Sequence, residues 1–390
     1  MCCGSGGNNK RIEGLKKRNI KKVRVFHFIS HFDLGGAERV AASIAKSGTG
    51  GIEYHVVEMM RGRSAITSEF VNELQEAGIV CHRSLVPDIR WHFVVERLTA
   101  LFFPLRFLWI WLRWHPDVIH SHTELPDLCT VAAMKAMPWI AKRCRVVRTI
   151  HNNRLWTGQA LLGKICERFF ILHNSNIAIS ESVRLSYSDR YDSVPPIIHN
   201  GVGEPWRRTY ERLCPGKINV VFAGRFESQK GIDALVDVVR SLAGDNRYHF
   251  HVFGDGSLGD MLRETVGSQA NVSINPPLFG LSSYLGSFDF MFMPSEFEGL
   301  SIVAIEASMS RLPNIINSCP GLEEILPADW PLKVSKNDRA SYLRLFRDFI
   351  PTCRREELGN KARDFARIHF SVEKMQQGYE KVYYRHDSTR

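Results

Sequence analysis

Two glutamates, Glu298 and Glu306, stand eight residues apart around the turn Glu298-Gly299-Leu300-Ser301. Residues 288–293, Phe288-Asp289-Phe290-Met291-Phe292-Met293, read as a buried strand. Residues 302–309 read as a helix with Ser301 as its N-cap. In an open parallel α/β sheet such a turn lies outside the carboxyl end of a strand, where ligands bind. The helix starting there offers unpaired N–H groups and a positive dipole end, which suit a phosphate. Arg225 and Lys230 bracket a second turn, between a strand at 218–224 and a helix at 232–242, and are placed to clamp the same anion. Two more strands, at 116–122 and 146–151, end in His122 and His151, at the edge where a cleft would lie. His120 is expected on the opposite side of its strand from His122. Each residue also has a structural reading: a core histidine, a glutamate complementing a helix dipole, two exposed cations on a polar turn. Those readings explain neither the glutamate pair nor its conjunction with Arg225 and Lys230.

The elements needed to position these side chains form two series. Residues 23–29 read as a first strand, followed by a loop containing Gly35 and Gly36 and a helix from residue 39. That is the opening of a Rossmann-like unit. It lacks the G-x-G-x-x-G fingerprint, which argues against a dinucleotide, while paired glycines allow close approach of a ligand. Further strands are read at 54–59, near 80, and at 116–122, 146–151 and 177–180. Residues 200–217, with Gly201, Pro205 and Pro215, read as a linker. A second series has strands at 218–224, 248–253, 272–274, 288–293 and 314–317. A last helix at 373–384 is long enough to reach back. The expected organisation is therefore a basic, disordered tail at 1–22, domains at 23–200 and 201–370, and a returning helix at 371–390.

Residues 97–114 are rich in Phe, Leu and Trp, but three arginines interrupt them and Pro104 is expected to break the helix, so they are not read as a membrane span. Two readings remain: a core helix, or a helix lying on a membrane with its arginines snorkelling. The chain carries a net charge of +10, of which residues 1–22 hold +6 and residues 201–390 none. No recognition motif accompanies the charge, so nucleic acid is not expected as a partner. The nine cysteines include no C-x-x-C, and no zinc site or disulfide framework is read. A reducing, cytoplasmic setting is expected.

The combination resembles a known family, the retaining family-4 glycosyltransferases of the GT-B fold. The most specific parts are Pro294-Ser295-Glu296-Phe297-Glu298-Gly299-Leu300-Ser301 with Glu306-Ala307, and Ala223-Gly224-Arg225-Phe226 with Lys230-Gly231. Gly254-Asp255-Gly256 and Leu278-Phe279-Gly280 fit as well, as do Gly35-Gly36-Ala37-Glu38 and His120-Ser121-His122 in the first half. The resemblance implies two Rossmann-like domains facing across a cleft, with a nucleoside-diphosphate sugar as donor and no further cofactor. Glu306 would hold the ribose hydroxyls, and Glu298 would lie against the transferred sugar. Leu278 to Gly280 would meet the base through main-chain groups. Arg225, Lys230 and the N–H groups of Gly299, Leu300 and Ser301 would take the leaving diphosphate's charge, with no protein-held metal. Gly35 and Gly36 would close on the diphosphate, and His122 and His151 would meet sugar or acceptor. Both glutamates are on the donor side, so neither is assigned as a nucleophile; the leaving phosphate is expected to help remove the acceptor's proton.

The implied activity is transfer of a sugar to a glycan or lipid-linked acceptor, in surface polysaccharide, lipopolysaccharide or glycolipid synthesis at the inner face of the cytoplasmic membrane. The basic, aromatic-rich first half adds peripheral contact with anionic membrane to that expectation. A GT-B nucleotide-sugar epimerase and a non-catalytic sugar-nucleotide-binding protein are the competing readings.

Overall fold

The computed structural model describes residues 22–33, 35–48, 50–62, 65–87 and 92–384. The tail expected at 1–22 lies, but for Lys22, outside them. The first sheet contains β1 (Val23–Ile29), β2 (Ile52–Glu58), β3 (Val80–His82), β4 (Val118–His122), β5 (Arg145–Ile150) and β6 (Asn176–Ala178). The second contains β7 (Ile218–Ala223), β8 (Tyr248–Phe253), β9 (Val272–Asn275), β10 (Phe290–Met293), β11 (Asn314–Ser318) and β12 (Lys333–Ser335). Each has six strands, in the orders β3-β2-β1-β4-β5-β6 and β12-β11-β10-β7-β8-β9, and every pairing is parallel. This is the GT-B architecture of two doubly wound domains. All-parallel strands are covered on both faces, which is why FMFM is buried and apolar throughout and β1 is buried from its third residue on.

The two faces of the first sheet have different covers. Val25, Ile29, Val118 and Val147 pack under helices Gly36–Lys46, Ala65–Glu76 and Val372–Tyr384. The last of these is the chain's C-terminal helix. It is held by Tyr383 Oη to His120 Nδ1 at 2.7 Å, Tyr379 Oη to Thr149 Oγ1 at 2.8 Å, and Gln376 Nε2 donating to Tyr54 Oη at 2.8 Å. Phe26, Phe28, Ile119 and Val146 pack under helices His92–Trp114, Glu124–Ala136 and Ala160–Leu172.

Helix His92–Trp114 runs unbroken through Pro104, contrary to the sequence expectation. An internal proline costs about 3 kcal/mol, and the burial of Ala100, Phe103, Phe107 and Ile110 on both sides of it outweighs that. Arg106 does not snorkel either. Its guanidinium donates to the carbonyls of Glu58, His82 and Arg83 at 2.6, 3.1 and 3.2 Å, tying the helix to the ends of β2 and β3.

Arg148 of β5 lies wholly inside this layer. It donates to Asp127 at 2.7 Å and in bidentate fashion to Glu167 at 2.7 and 2.8 Å, above the Phe170 ring. Glu167 also accepts from Trp156 and Tyr187, each at 2.6 Å. Burial pushes the Glu167 carboxyl up, but the Arg148 charge and these hydrogen bonds outweigh it and hold the group below its ordinary value. Burial raises Asp127 to about 7 against the pull of Arg148. One cation thus joins two helices to the sheet.

Candidate functional site

In the second sheet β7 and β10 are neighbours and parallel, so the turns that follow them share one edge. The turn after β7 contains Arg225 and a single 3-10 turn, Ser228–Lys230. Gly231 then takes a left-handed φ of 69°, and a Cβ there would lie 1.9 Å from the Pro294 carbonyl oxygen. Only glycine lets the two turns approach this closely. They are laced together by Glu296 N donating to Gln229 O at 2.8 Å and by Gln229 Nε2 donating to Phe297 O at 3.0 Å. Lys230 Nζ reaches Glu298 Oε1 at 2.6 Å, and Ser295 Oγ donates to the same oxygen at 2.8 Å. Leu300 is buried at the mouth of helix Ile302–Met309. Ser301 holds the N-cap position, yet its side chain makes no capping bond, and its buried Oγ has no partner. Glu306 lies inside the helix's first turns, buried, with its carboxyl raised by burial against the pull of Arg39 from the other domain, whose guanidinium contacts it. Leu278, half-buried, follows β9 at the same edge.

On the facing domain, Gly35 precedes helix Gly36–Lys46 and carries the Glu38 carboxylate so close that a Cβ would meet it at 1.8 Å. Gly36 is exposed. Burial pushes Glu38 up to about 7, with Asp33 adding to the effect and Arg225 opposing it. Arg225 therefore acts across the cleft.

His27, His120 and His122 project from the same face of β1 and β4 as Val25 and Val118. The expectation that His120 turns away from His122 was wrong: strand side chains alternate, so residues two apart share a face, and the two rings lie 4.1 Å apart between centroids. His122 is fully buried. Its Nε2 meets His27 Nδ1 at 2.9 Å and its Nδ1 meets His151 Nε2 at 3.1 Å. The structure thus joins the two histidines singled out from the sequence and adds a third.

The cleft between the domains closes on Glu298 and Gly299. Asn153 Nδ2 donates to Glu298 O at 2.9 Å and Ser180 Oγ to Gly299 O at 2.6 Å. A Cβ on Gly299 would lie 2.1 Å from His151 O. The Glu324 carboxylate accepts from Glu181 N and Ser182 N at 2.7 and 2.8 Å, crossing to the start of helix Glu181–Tyr191. His151 and Glu298, one from each domain, therefore border the same space. Arg39, Glu38, Asn153, Ser180 and His27 were missed as site residues. Arg39 did carry a signal: a cation in a helix's first turn opposes the macrodipole and needs a partner elsewhere. His27 carried one too, as an imidazole inside the otherwise apolar, buried stretch of residues 25–29.

Two clusters among the described residues bring metal-ligating atoms within 4.8 Å of one another: His27, His120 and His122, and Cys214, His249 and His251. Neither contains Glu298 or Glu306. In the first, both ring nitrogens of His120 and of His122 are already hydrogen-bonded.

Residues 34–203 match the family described as Glycosyltransferase Family 4, and residues 217–346 match Glycosyl transferases group 1. Together the two matches span about three quarters of the chain, one on each domain. The chain belongs to glycosyltransferase family 4. An uncharacterised family relative of Methanocaldococcus jannaschii, itself described as a glycosyltransferase, is 28% identical over 281 residues, covering 68% of this chain and 75% of that one. Among solved structures, Anabaena HepE in complex with UDP and glucose superposes with a TM-score of 0.68 at 15% identity, covering 92% of this chain and 99% of its own. The lipopolysaccharide outer core galactosyltransferase WaaB, in its apo form, gives 0.62 at 16% identity, covering 92% and 99%. The glycosyltransferase therefore shares the GT-B fold with proteins to which it has little sequence identity.

Proposed function

We propose that this glycosyltransferase moves a sugar, with retention of anomeric configuration, from a nucleoside-diphosphate donor to a glycan or lipid-linked acceptor in surface polysaccharide or glycolipid synthesis. The observation that carries this reading is the Lys230–Glu298 pair, which joins the turn after β7 to the mouth of helix Ile302–Met309. Departure of the nucleotide concentrates negative charge on the diphosphate. Arg225, Lys230, the N–H groups of Gly299, Leu300 and Ser301, and the unpartnered Ser301 hydroxyl are the groups to meet it, without a metal or other cofactor. Glu298 faces the positive charge growing on the sugar ring. Glu306 takes the ribose hydroxyls once Arg39 yields, Leu278 lies against the base, and Gly35 and Gly36 close on the diphosphate. His151, with His122 behind it, meets sugar or acceptor. HepE's complex with UDP and glucose supports a UDP-sugar donor, and WaaB's name supports a lipid-linked acceptor.

The test is a panel of UDP- and GDP-sugars with glycan and lipid-linked acceptors, following nucleotide release and the configuration of the product in the presence of a chelator. Retained linkage at undiminished rate is expected. An inverted linkage removes the retaining mechanism, a chelator-sensitive rate removes metal independence, and free altered sugar or binding without turnover removes transfer itself.

We also propose peripheral contact with anionic membrane. No helix among the described residues is long and apolar enough to cross a bilayer. Helix His92–Trp114 nevertheless turns a second apolar stripe outward: Leu98, Leu101, Leu105, Trp109 and Leu112 recur three or four residues apart, with Phe102 beside Leu101, and Leu105 is 70% exposed. Exposed Arg97 and Arg113 lie on the same helix. This is the composition of an interfacial helix. Leu105→Asp should lower co-sedimentation with anionic vesicles by roughly tenfold or more, the loss of one buried side chain at about 1.5–3 kcal/mol. Turnover of a water-soluble acceptor should not change. Equal vesicle binding by the variant would remove this surface from the account.

Glu38 gives a pH prediction. Its carboxyl, pushed up to about 7, is mostly neutral below that pH and ionised above it. Ionised, it competes with an anionic donor for Arg225. Donor KM should therefore rise about fivefold as pH rises through 7, the size of one screened pair near 1 kcal/mol, and Glu38→Gln should flatten the profile at the low-pH value.

A further inference from the structure

His27, His122 and His151 form a hydrogen-bonded row of three imidazoles, with Nδ1 of His27 on Nε2 of His122 and Nδ1 of His122 on Nε2 of His151. Burial lowers the proton affinity of all three, so each is neutral at ordinary pH. A neutral imidazole has one N–H and one lone pair. Each link needs one proton between its two nitrogens, so an intact row has only two proton orders. In one, every ring carries its hydrogen on Nδ1 and His27 donates to His122, which donates to His151. In the other, every hydrogen sits on Nε2 and the row runs backwards.

The two orders differ at the ends. At the inner end, His27 Nε2 is buried with no partner. The first order leaves a bare lone pair there; the second leaves an N–H. Buried donors without a partner are the rarer case, and under-satisfied acceptors are better tolerated. The first order is therefore preferred. At the outer end, His151 is only half-buried and its carbonyl abuts Gly299 beside Glu298. The first order makes His151 Nδ1 the donor at the row's outer end.

We propose that His27 is a positioning residue of the transferase: through His122 it fixes the tautomer of His151, so that His151 offers an N–H from Nδ1 to an oxygen of the sugar or acceptor. The inference rests on the proposed role of His122 and His151 at the cleft. His27 itself touches no substrate. It is held for this task by register, since β1 pairs it with His120 in β4, whose own nitrogens are occupied by Tyr383 and Thr149. The row therefore has no branch through which its proton order could be set otherwise.

The experiment uses the full-length protein labelled with ¹⁵N-histidine, together with His27→Phe, His27→Asn, His122→Ala and His151→Ala. In the wild type the ring shifts of His122 and His151 should report hydrogen on Nδ1. His27→Phe should lose that order and lower kcat by about ten- to a hundredfold, the range for partners that orient a functional ring, with donor KM little changed. His27→Asn, whose amide can donate from near the same place, should recover most of the rate. Hydrogen on Nε2 of His151 in the wild type overturns the inference whether or not any variant folds. So does wild-type kcat in His27→Phe while His151→Ala is impaired, an outcome that leaves the proposed function standing. Undiminished transfer in both His122→Ala and His151→Ala removes the histidine role on which the inference rests.

Discussion

If Lys230 meets the leaving diphosphate as proposed, Lys230→Ala is expected to lower kcat for nucleotide-sugar turnover by about a hundred- to a thousandfold, the effect of deleting one preorganised donor from a developing oxyanion, equivalent to about 2.7–4 kcal/mol. Lys230 is suited to so large a share because nothing about it is left to chance. Its stem lies along Gly224, with Cγ, Cδ and Cε all within 3.7 Å of where a Cβ there would be, and its ammonium is fixed on Glu298 at 2.6 Å. The ammonium is thus in place before charge develops on the diphosphate. Removing it also leaves Glu298 facing the leaving anion uncompensated. Lys230→Ala is therefore expected to be at least as damaging as Glu298→Ala, and the double variant no worse than Lys230→Ala alone, because the pair acts as one unit. Steady-state kinetics on the three variants check this. Additive losses would show that the two residues act separately.

Much of this site was legible because the ligand edge of a parallel α/β sheet is punctuated by glycines and charges. Glu298 and Ser301 follow the apolar strand Phe290–Met293, Gly231 opens the helix after β7, and the pairing of β7 with β10 brings their turns together on one edge. What stayed hidden depends on register between strands far apart in sequence. His27 and His120 are 93 residues apart and become neighbours only through the pairing of β1 with β4. Arg39 meets Glu306 only when the domains face one another. β12 was missed because Lys333–Ser335 is a three-residue edge strand with no apolar run of its own. The error at Pro104 had another source, since local propensity was weighed without the packed face that overrides it.

Arg148→Met should destabilise the first domain by about 3–5 kcal/mol, the cost of breaking a buried ion pair by removing one partner. Domains of this kind are stable by only about 5–15 kcal/mol, so the variant should melt far below the wild type or fail to accumulate. The reason is arithmetic of charge rather than loss of contacts. Asp127 and Glu167 are each under a few per cent exposed, and Arg148 is the cation that hydrogen-bonds both. Without it, both carboxylates favour the protonated form in the folded state: Glu167, held below its ordinary value in the wild type, rises above it, and Asp127, already raised to about 7 beside Arg148, rises further. Such groups favour folding where they are protonated and disfavour it as pH rises through their folded values. The variant should therefore recover more stability than the wild type on acidification toward pH about 5, because in that range the wild type gains only from Asp127 and nothing from Glu167. Adding Asp127→Asn and Glu167→Gln to Arg148→Met removes the two stranded charges and should restore much of the lost stability at neutral pH, as replacement of whole buried ion pairs by neutral groups often does. Thermal unfolding of the single and triple variants across this pH range separates the electrostatic account from one based on lost packing over Phe170, under which the triple variant would be no more stable than the single.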